Sequence, residues 1–481
     1  MELFFLKKIK NIFTRQDGIL ALLLVFILFK GIVWGWNIPL FTLSDEVTHF
    51  TYIHYLSEYK ELPRSADTPT KLEKSSAELR KNLKSLQVYK TPLSLEHTDF
   101  AASADANPVS FNDFLNNANL RANWSFNYPP LYYVLMSIFY TLGKNLNFDI
   151  ISIAYLIRFC AIFFLIITII FSYKIAFILT NDRLFALIIC SIISLMASMS
   201  AVFSSINNDV ALIAFSHIVL YLVYRIFYSS SQNVNRLIIL ASFAFLAAIL
   251  SKPQAIIFIP LMIGALIYNW LKNKKIRTNA AMNILVIGSI ILVTILIMPN
   301  GFLSNFFKID FRSIDGGGGI MTILKNDLLR RFTLMFDFFI QIGLFHSDQS
   351  VWIFSSLSVL ILFSTMGIIL FCYNFFKKRD FYSANVKALL LCAIPIITLE
   401  ILYTFLYFRE AIINKAYDFP GQGRYYFIVL TPLLVIFVYG LQYLFELLRL
   451  PRRALYFILI IFFAFLNSYF FINIILPSAY L

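Results

Sequence analysis

Apolar runs of bilayer-crossing length recur along almost the whole chain, and no other feature restricts its possible folds so strongly. A helix needs roughly 20 apolar residues to cross a hydrocarbon core of about 30 Å, where each backbone amide and carbonyl must be satisfied within the segment. The runs read as spans over residues 18–36, 150–179, 184–203, 210–228, 236–250, 255–271, 279–299, 351–376, 385–408, 425–448 and 454–476. The expected fold is an all-α polytopic transmembrane bundle of about 11 spans. With 59% hydrophobic residues, no stretch is left for a separate soluble domain.

The net charge of +14 reports topology. In a membrane protein, Lys and Arg gather in cytoplasmic loops and against anionic headgroups, so the implied partners are membrane lipids and not nucleic acid. Lys7, Lys8, Lys10 and Arg15 precede the first run, and no small-residue cleavage site follows it. This predicts an uncleaved signal anchor with the amino terminus inside. Cys160, Cys190, Cys372 and Cys392 all lie in apolar runs with no C-x-x-C pair, which argues against disulfides and zinc.

The segment Pro129–Tyr140 decides the topology. From the prolines to Gly143 a helix reaches only about 22 Å, too short to cross. Were it to cross, the basic loops at Lys272–Arg277, Lys377–Arg379 and Arg449–Arg453 would all fall outside. It is therefore expected as an outer-surface amphipathic or re-entrant helix with an interfacial tyrosine belt, and the carboxyl terminus as outside. Two more interfacial helices are expected in the polar loop 39–126: one after a Ser44 cap, with Val47, Phe50, Ile53 and Leu56 toward lipid, and one using Leu72, Leu79, Leu83 and Leu86. Residues 300–350 read as a second outer loop, with a membrane-dipping helix near 334–344.

This topology gathers the unusual polar residues at one face. Asp45 and Glu46 follow the first span, Asn207, Asn208 and Asp209 join the third and fourth, Lys252 follows the fifth, and Arg424 opens the tenth. Short outer loops are poor in cations, so Lys252 and Arg424 stand out. Carboxylates facing cations suit group transfer from a phosphate-linked lipid, since a carboxylate can take an acceptor hydroxyl's proton while Lys and Arg stabilise a departing phosphate. Helix capping remains an alternative for Asp45 and Glu46, and solvated histidines for His49 and His54. His217 reads as a hydrogen-bonded bundle histidine, and Glu400 as a partner for Arg409 or Lys252. Asp315–Gly319 lacks the Lys-Ser/Thr of a phosphate loop and reads as a flexible loop, beside a basic patch of Lys308, Arg312, Lys325, Arg330 and Arg331.

The order of these motifs carries a resemblance. Asp45-Glu46-Val47-Thr48-His49, then Pro129-Pro130-Leu131-Tyr132-Tyr133, Asn208-Asp209, Ser251-Lys252-Pro253 and Gln422-Gly423-Arg424-Tyr425 look like the GT-C superfamily of integral-membrane glycosyltransferases. Within it the chain is most similar to the protein mannosyltransferase and aminoarabinose transferase types, and to a poorly characterised bacterial membrane family with D-E-x-x-H and Q-G-R-Y features. The resemblance implies a catalytic membrane module over 1–300, including outer loop 39–149, followed by loop 300–350 and carboxyl-terminal helices over 301–481. It implies a bacterial-type plasma membrane, Asp45, with Glu46, as catalytic carboxylates, and Asp209, Asn208, Lys252, Arg424, Tyr425, Arg158, His49 and Tyr132 as substrate contacts. The implied donor is a polyprenyl-phosphate sugar, the acceptor a glycan, lipid or protein hydroxyl, and the outcome inversion. Asp209 would orient the acceptor or hold a divalent cation. Asn127-Tyr128 stands where such transferases often carry a charge before the double proline. A lipid-diphosphate-dependent polymerase or ligase and a flippase of lipid-linked glycans are the alternatives.

Overall fold

The computed structural model describes residues 15–41, 45–63, 128–228, 234–272, 288, 339, 351–378, 384–414 and 423–476. Thirteen α-helices carry the described chain. They are α1 (Arg15–Asn37), α2 (Glu46–Tyr59), α3 (Leu131–Asn145), α4 (Ile150–Thr180), α5 (Arg183–Leu195), α6 (Ala197–Phe203), α7 (Asp209–Tyr228), α8 (Val234–Ser251), α9 (Ile259–Lys272), α10 (Val351–Lys378), α11 (Ala384–Asn414), α12 (Leu430–Leu447) and α13 (Arg452–Phe470). Tight 3-10 turns at Pro253–Phe258 and Gly423–Val429 lead into α9 and α12. Among the described residues nine helices are long and apolar enough to cross a membrane, or ten if the pair α5 and α6, bent by 64°, counts as one span. The chain is an integral, all-helical membrane protein. The expected span 279–299 lies outside the described residues except Gly288, as do the boundary at 300, the helix over Leu72–Leu86, Ser44, Asp315–Gly319 and its basic patch. Of 334–344 only Phe339 is described: it is buried, with its ring against Phe437 and Phe463.

Local chemistry sets the helix ends. Asp149 caps α4 by accepting the Ser152 amide at 2.7 Å, and Asp182 caps α5 through the amides of Leu184 and Phe185. Asn181, between those helices, takes a left-handed conformation (φ 53°). Glycine governs one crossing: a Cβ on Gly367 of α10 would stand 1.9 Å from the Gly440 carbonyl oxygen of α12.

Helix α3 has 15 residues and is absent from the candidate spans, as its length predicts. Its tyrosines do not form a lipid-facing belt. Tyr132, Tyr133 and Tyr140 are buried, with Tyr133 stacked on Tyr52 at 3.9 Å and Tyr140 against Phe50 and His54. Helix α2 departs likewise from the interfacial expectation, because Val47, Phe50, Ile53 and Leu56 are all buried. The apolar residues of α2 and the phenols of α3 cover one another, while Val134, Ile138 and Leu142 on the other side of α3 are exposed, as on an amphipathic helix. The expected span 184–203 breaks at Met196. There Lys30, inside α1, donates to the Ser194 carbonyl at 2.5 Å, an oxygen near the end of α5, and Met196 starts a new helix.

Candidate functional site

Two ionic clusters form at the end of the bundle where α1 and α8 finish and α7 begins. The first is Glu46 with Arg158. Arg158 stands about 12 Å along α4 from its start, fully buried. Its Nε and Nη2 donate to Glu46 Oε1 and Oε2, both at 2.6 Å. Its remaining N–H groups reach the carbonyls of Ile38 (2.6 Å), Pro39 (2.9 Å) and Gly35 (3.2 Å), where the chain leaves α1. The Glu46 carboxylate also accepts the backbone amides of Phe41 (2.7 Å) and Ile206 (3.0 Å). Glu46 and Arg158, expected as a catalytic group and a substrate contact, thus face each other in a buried ion pair. Holding two guanidinium donors and two amides, the carboxylate ties the α1 exit, α4 and the 206–209 turn together.

The second cluster is the one the motif order anticipates. Asp45 precedes α2 with φ 63° and ψ 2°, a left-handed conformation that Asp tolerates better than most residues. Its side chain does not cap α2, so the capping alternative falls. Its carbonyl accepts the His49 amide and the Thr48 hydroxyl, leaving the carboxylate 41% exposed and 3.4 Å from Arg424 Nη2. Arg424 is buried, and its Nε lies 3.5 Å from Asp209 Oδ2. That is an ionic contact without hydrogen-bond geometry, and Arg424 Nε keeps no hydrogen-bond partner. Asp209 Oδ1 accepts from Lys252 Nζ at 2.5 Å. Asn208 Nδ2 donates to the Ser251 carbonyl at 3.3 Å, stitching the two turns beside that ion pair.

Aromatic rings enclose the cations. Lys252 Nζ stands 5.1 Å from the Tyr425 ring and 5.8 Å from Tyr128, and Arg424 lies 5.8 Å from Tyr425. Burial works to discharge Lys252, but Asp209 and the two phenols hold its pKa above the ordinary lysine value. His49 stacks against Tyr128 and Tyr133 and shares a 2.8 Å hydrogen bond with the Tyr133 hydroxyl. Burial lowers the His49 pKa to about 4, against the pull of Asp45 and Asp209, so it is neutral at pH 7. Tyr132 is fully buried and its hydroxyl has no hydrogen-bond partner; burial raises its pKa well above 10.0, with Glu46 acting in the same direction.

Of the ten residues singled out from sequence, Asp45, Asp209, Asn208, Lys252, Arg424, Tyr425 and His49 thus meet in one place, Tyr132 borders it, and Glu46 and Arg158 form the clamp behind it. Among the described residues no three His, Cys, Asp or Glu side chains gather as a metal-ligand set, and the Asp209 oxygens face Lys252 and Arg424. Glu400 accepts the Tyr426 hydroxyl at 2.8 Å, while the side chain of its expected partner Arg409 lies outside the described residues. His217 bonds the Ile213 carbonyl oxygen through Nδ1 at 2.8 Å, as expected of a bundle histidine. The sequence reading passed over Tyr128 as a cation neighbour, and over Lys30. A lone cation within an apolar run was signal enough for Lys30.

Fold and site together define a polytopic helical membrane protein with a buried charged centre at one end of its bundle. The chain belongs to the DUF2142 family, described as a predicted membrane protein, whose profile matches residues 28–437 and so takes in every residue of both clusters. No curated protein and no solved structure matches the chain.

Proposed function

We propose that the protein is a glycosyltransferase that moves a sugar from a polyprenyl-phosphate donor to an acceptor hydroxyl at the outer face of the membrane. One observation carries this reading: Asp45, Asp209, Lys252 and Arg424, from four separate segments, converge at one end of the bundle. The charge rule puts that end outside, because the opposite end carries the basic loops. In the reaction, the half-exposed Asp45 carboxylate takes the acceptor proton as the acceptor oxygen bonds to the sugar C1. The bond from C1 to the phosphate oxygen breaks, and the departing phosphate keeps the electron pair under Lys252 and Arg424. Asp209 positions both cations. His49, neutral and anchored to Tyr133, supports the turn without adding charge.

The test is transfer from a lipid-linked sugar in membranes containing the wild-type chain, Asp45→Asn or Arg424→Ala. Loss of transfer in both variants supports the assignment, and full activity in both sinks it. The break at Met196 with Lys30 beside it favours a second reading, a transporter of lipid-linked glycans, because discontinuous spans with intramembrane polar groups are common there. Movement of a labelled lipid-linked sugar between leaflets, without transfer, separates the two.

A further inference from the structure

The turns that carry Asp209 and Lys252 also carry three buried acceptors with nothing to accept. Asn207 Oδ1, Asn208 Oδ1 and Gln254 Oε1 have no hydrogen-bond partner. Buried polar oxygens are seldom left so, because each has given up water without replacement. The orientation of the two asparagine amides is determined by their other ends. Asn207 Nδ2 donates to the Val202 carbonyl (2.9 Å) and the Ser205 hydroxyl (2.6 Å), and Asn208 Nδ2 donates to the Ser251 carbonyl. A carbonyl only accepts, so neither amide can turn over without placing oxygen against oxygen.

What the turns lack is hydrogen donors. An ionised phosphate brings none, and an isoprenoid chain brings none; a sugar ring brings several hydroxyls. We infer that Asn207, Asn208 and Gln254 read the hydroxyl groups of the sugar, next to the Lys252 and Arg424 cations that hold its phosphate. This rests on the lipid-phosphate-sugar reading and adds the residues that discriminate between donors. A site built to bond a hydroxyl rejects a ligand lacking it, because its own groups are then stranded.

The experiment measures binding of farnesyl phosphate and of farnesyl-phosphoryl glucose, mannose and arabinose to the full chain in lipid nanodiscs. The wild type is expected to favour at least one sugar-bearing probe over farnesyl phosphate by about tenfold or more. Asn208→Leu and Gln254→Met should lose that preference, with Gln254→Met keeping farnesyl phosphate affinity within about twofold, and Arg424→Ala should weaken every probe. Gln254 is only partly buried, so Gln254→Met keeps the test decisive if Asn208→Leu does not fold. Unchanged preference in both variants, or a wild type that does not distinguish the sugars from farnesyl phosphate, overturns the inference: the acceptors then hold water only, and the phosphate site stands. A wild type that binds no farnesyl phosphate overturns the proposed function along with it.

Discussion

Glu46 and Asp45 are neighbours in sequence and opposites in use. The Glu46 carboxylate is fully buried, receives two guanidinium bonds of 2.6 Å and has two further amide donors. Asp45 is 41% exposed, holds Arg424 at 3.4 Å, and shares it with a second carboxylate. A closed cluster resists any change of partner. An open one, with long contacts and an unused guanidinium N–H, can exchange a carboxylate for an arriving anion. One turn thus supplies a sealed carboxylate and an open one in adjacent positions.

The largest test of that contrast is Arg158→Met. It strands a buried carboxylate, so a loss of about 3–5 kcal/mol is expected, with little folded protein recovered in detergent. Adding Glu46→Leu should restore part of the thermal stability, since two apolar groups replace the pair. Wild-type stability in Arg158→Met alone would erase the distinction between the sealed and the open carboxylate. Asp45→Asn should do the reverse, cutting transfer by about 10²–10⁴-fold with melting close to wild type, read by parallel activity and unfolding measurements.

Acidification probes His49 beside the open cluster. The His49 pKa is near 4 in the folded chain and 6.5 unfolded, so the unfolded state takes the proton first. Stability is full above pH 6.5, declines as the pH falls to 4 and is level below, a total on the order of 3 kcal/mol that His49→Gln should remove. A urea titration at several pH values that shows the same slope in both proteins counts against a buried neutral imidazole. Smallest is the exposed pair Lys144 and Glu58 between α3 and α2, at 2.7 Å with side chains 57% and 23% exposed. Lys144→Ala should shift stability by under about 1 kcal/mol, marking the low end of the scale set by Arg158.

Sequence made the bundle legible because bilayer crossing demands long apolar runs, and α3 legible as a non-span because its length falls short. It also brought Asp45, Asp209, Lys252 and Arg424 to one face, since alternating spans put those loops at the same end. It did not separate Glu46 from Asp45. Which of two adjacent carboxylates turns inward depends on the left-handed backbone at Asp45 and on Arg158, more than 100 residues away. The lipid-facing expectation for α2 failed for a related reason: apolar periodicity marks a face to be covered but does not say whether lipid or the tyrosines of α3 cover it. The break at Met196 has no Pro or Gly to announce it.

Lys30 carries a consequence for how the chain is made. It sits within α1, and a lysine in an apolar span costs roughly 2.5–3.5 kcal/mol against insertion. Its partner carbonyl at Ser194 is translated 164 residues later. Part of that cost is offset only when α5 packs against α1, so the Lys30 contact makes α1 depend on the helix that leads through α6 to the Asn208-Asp209 turn.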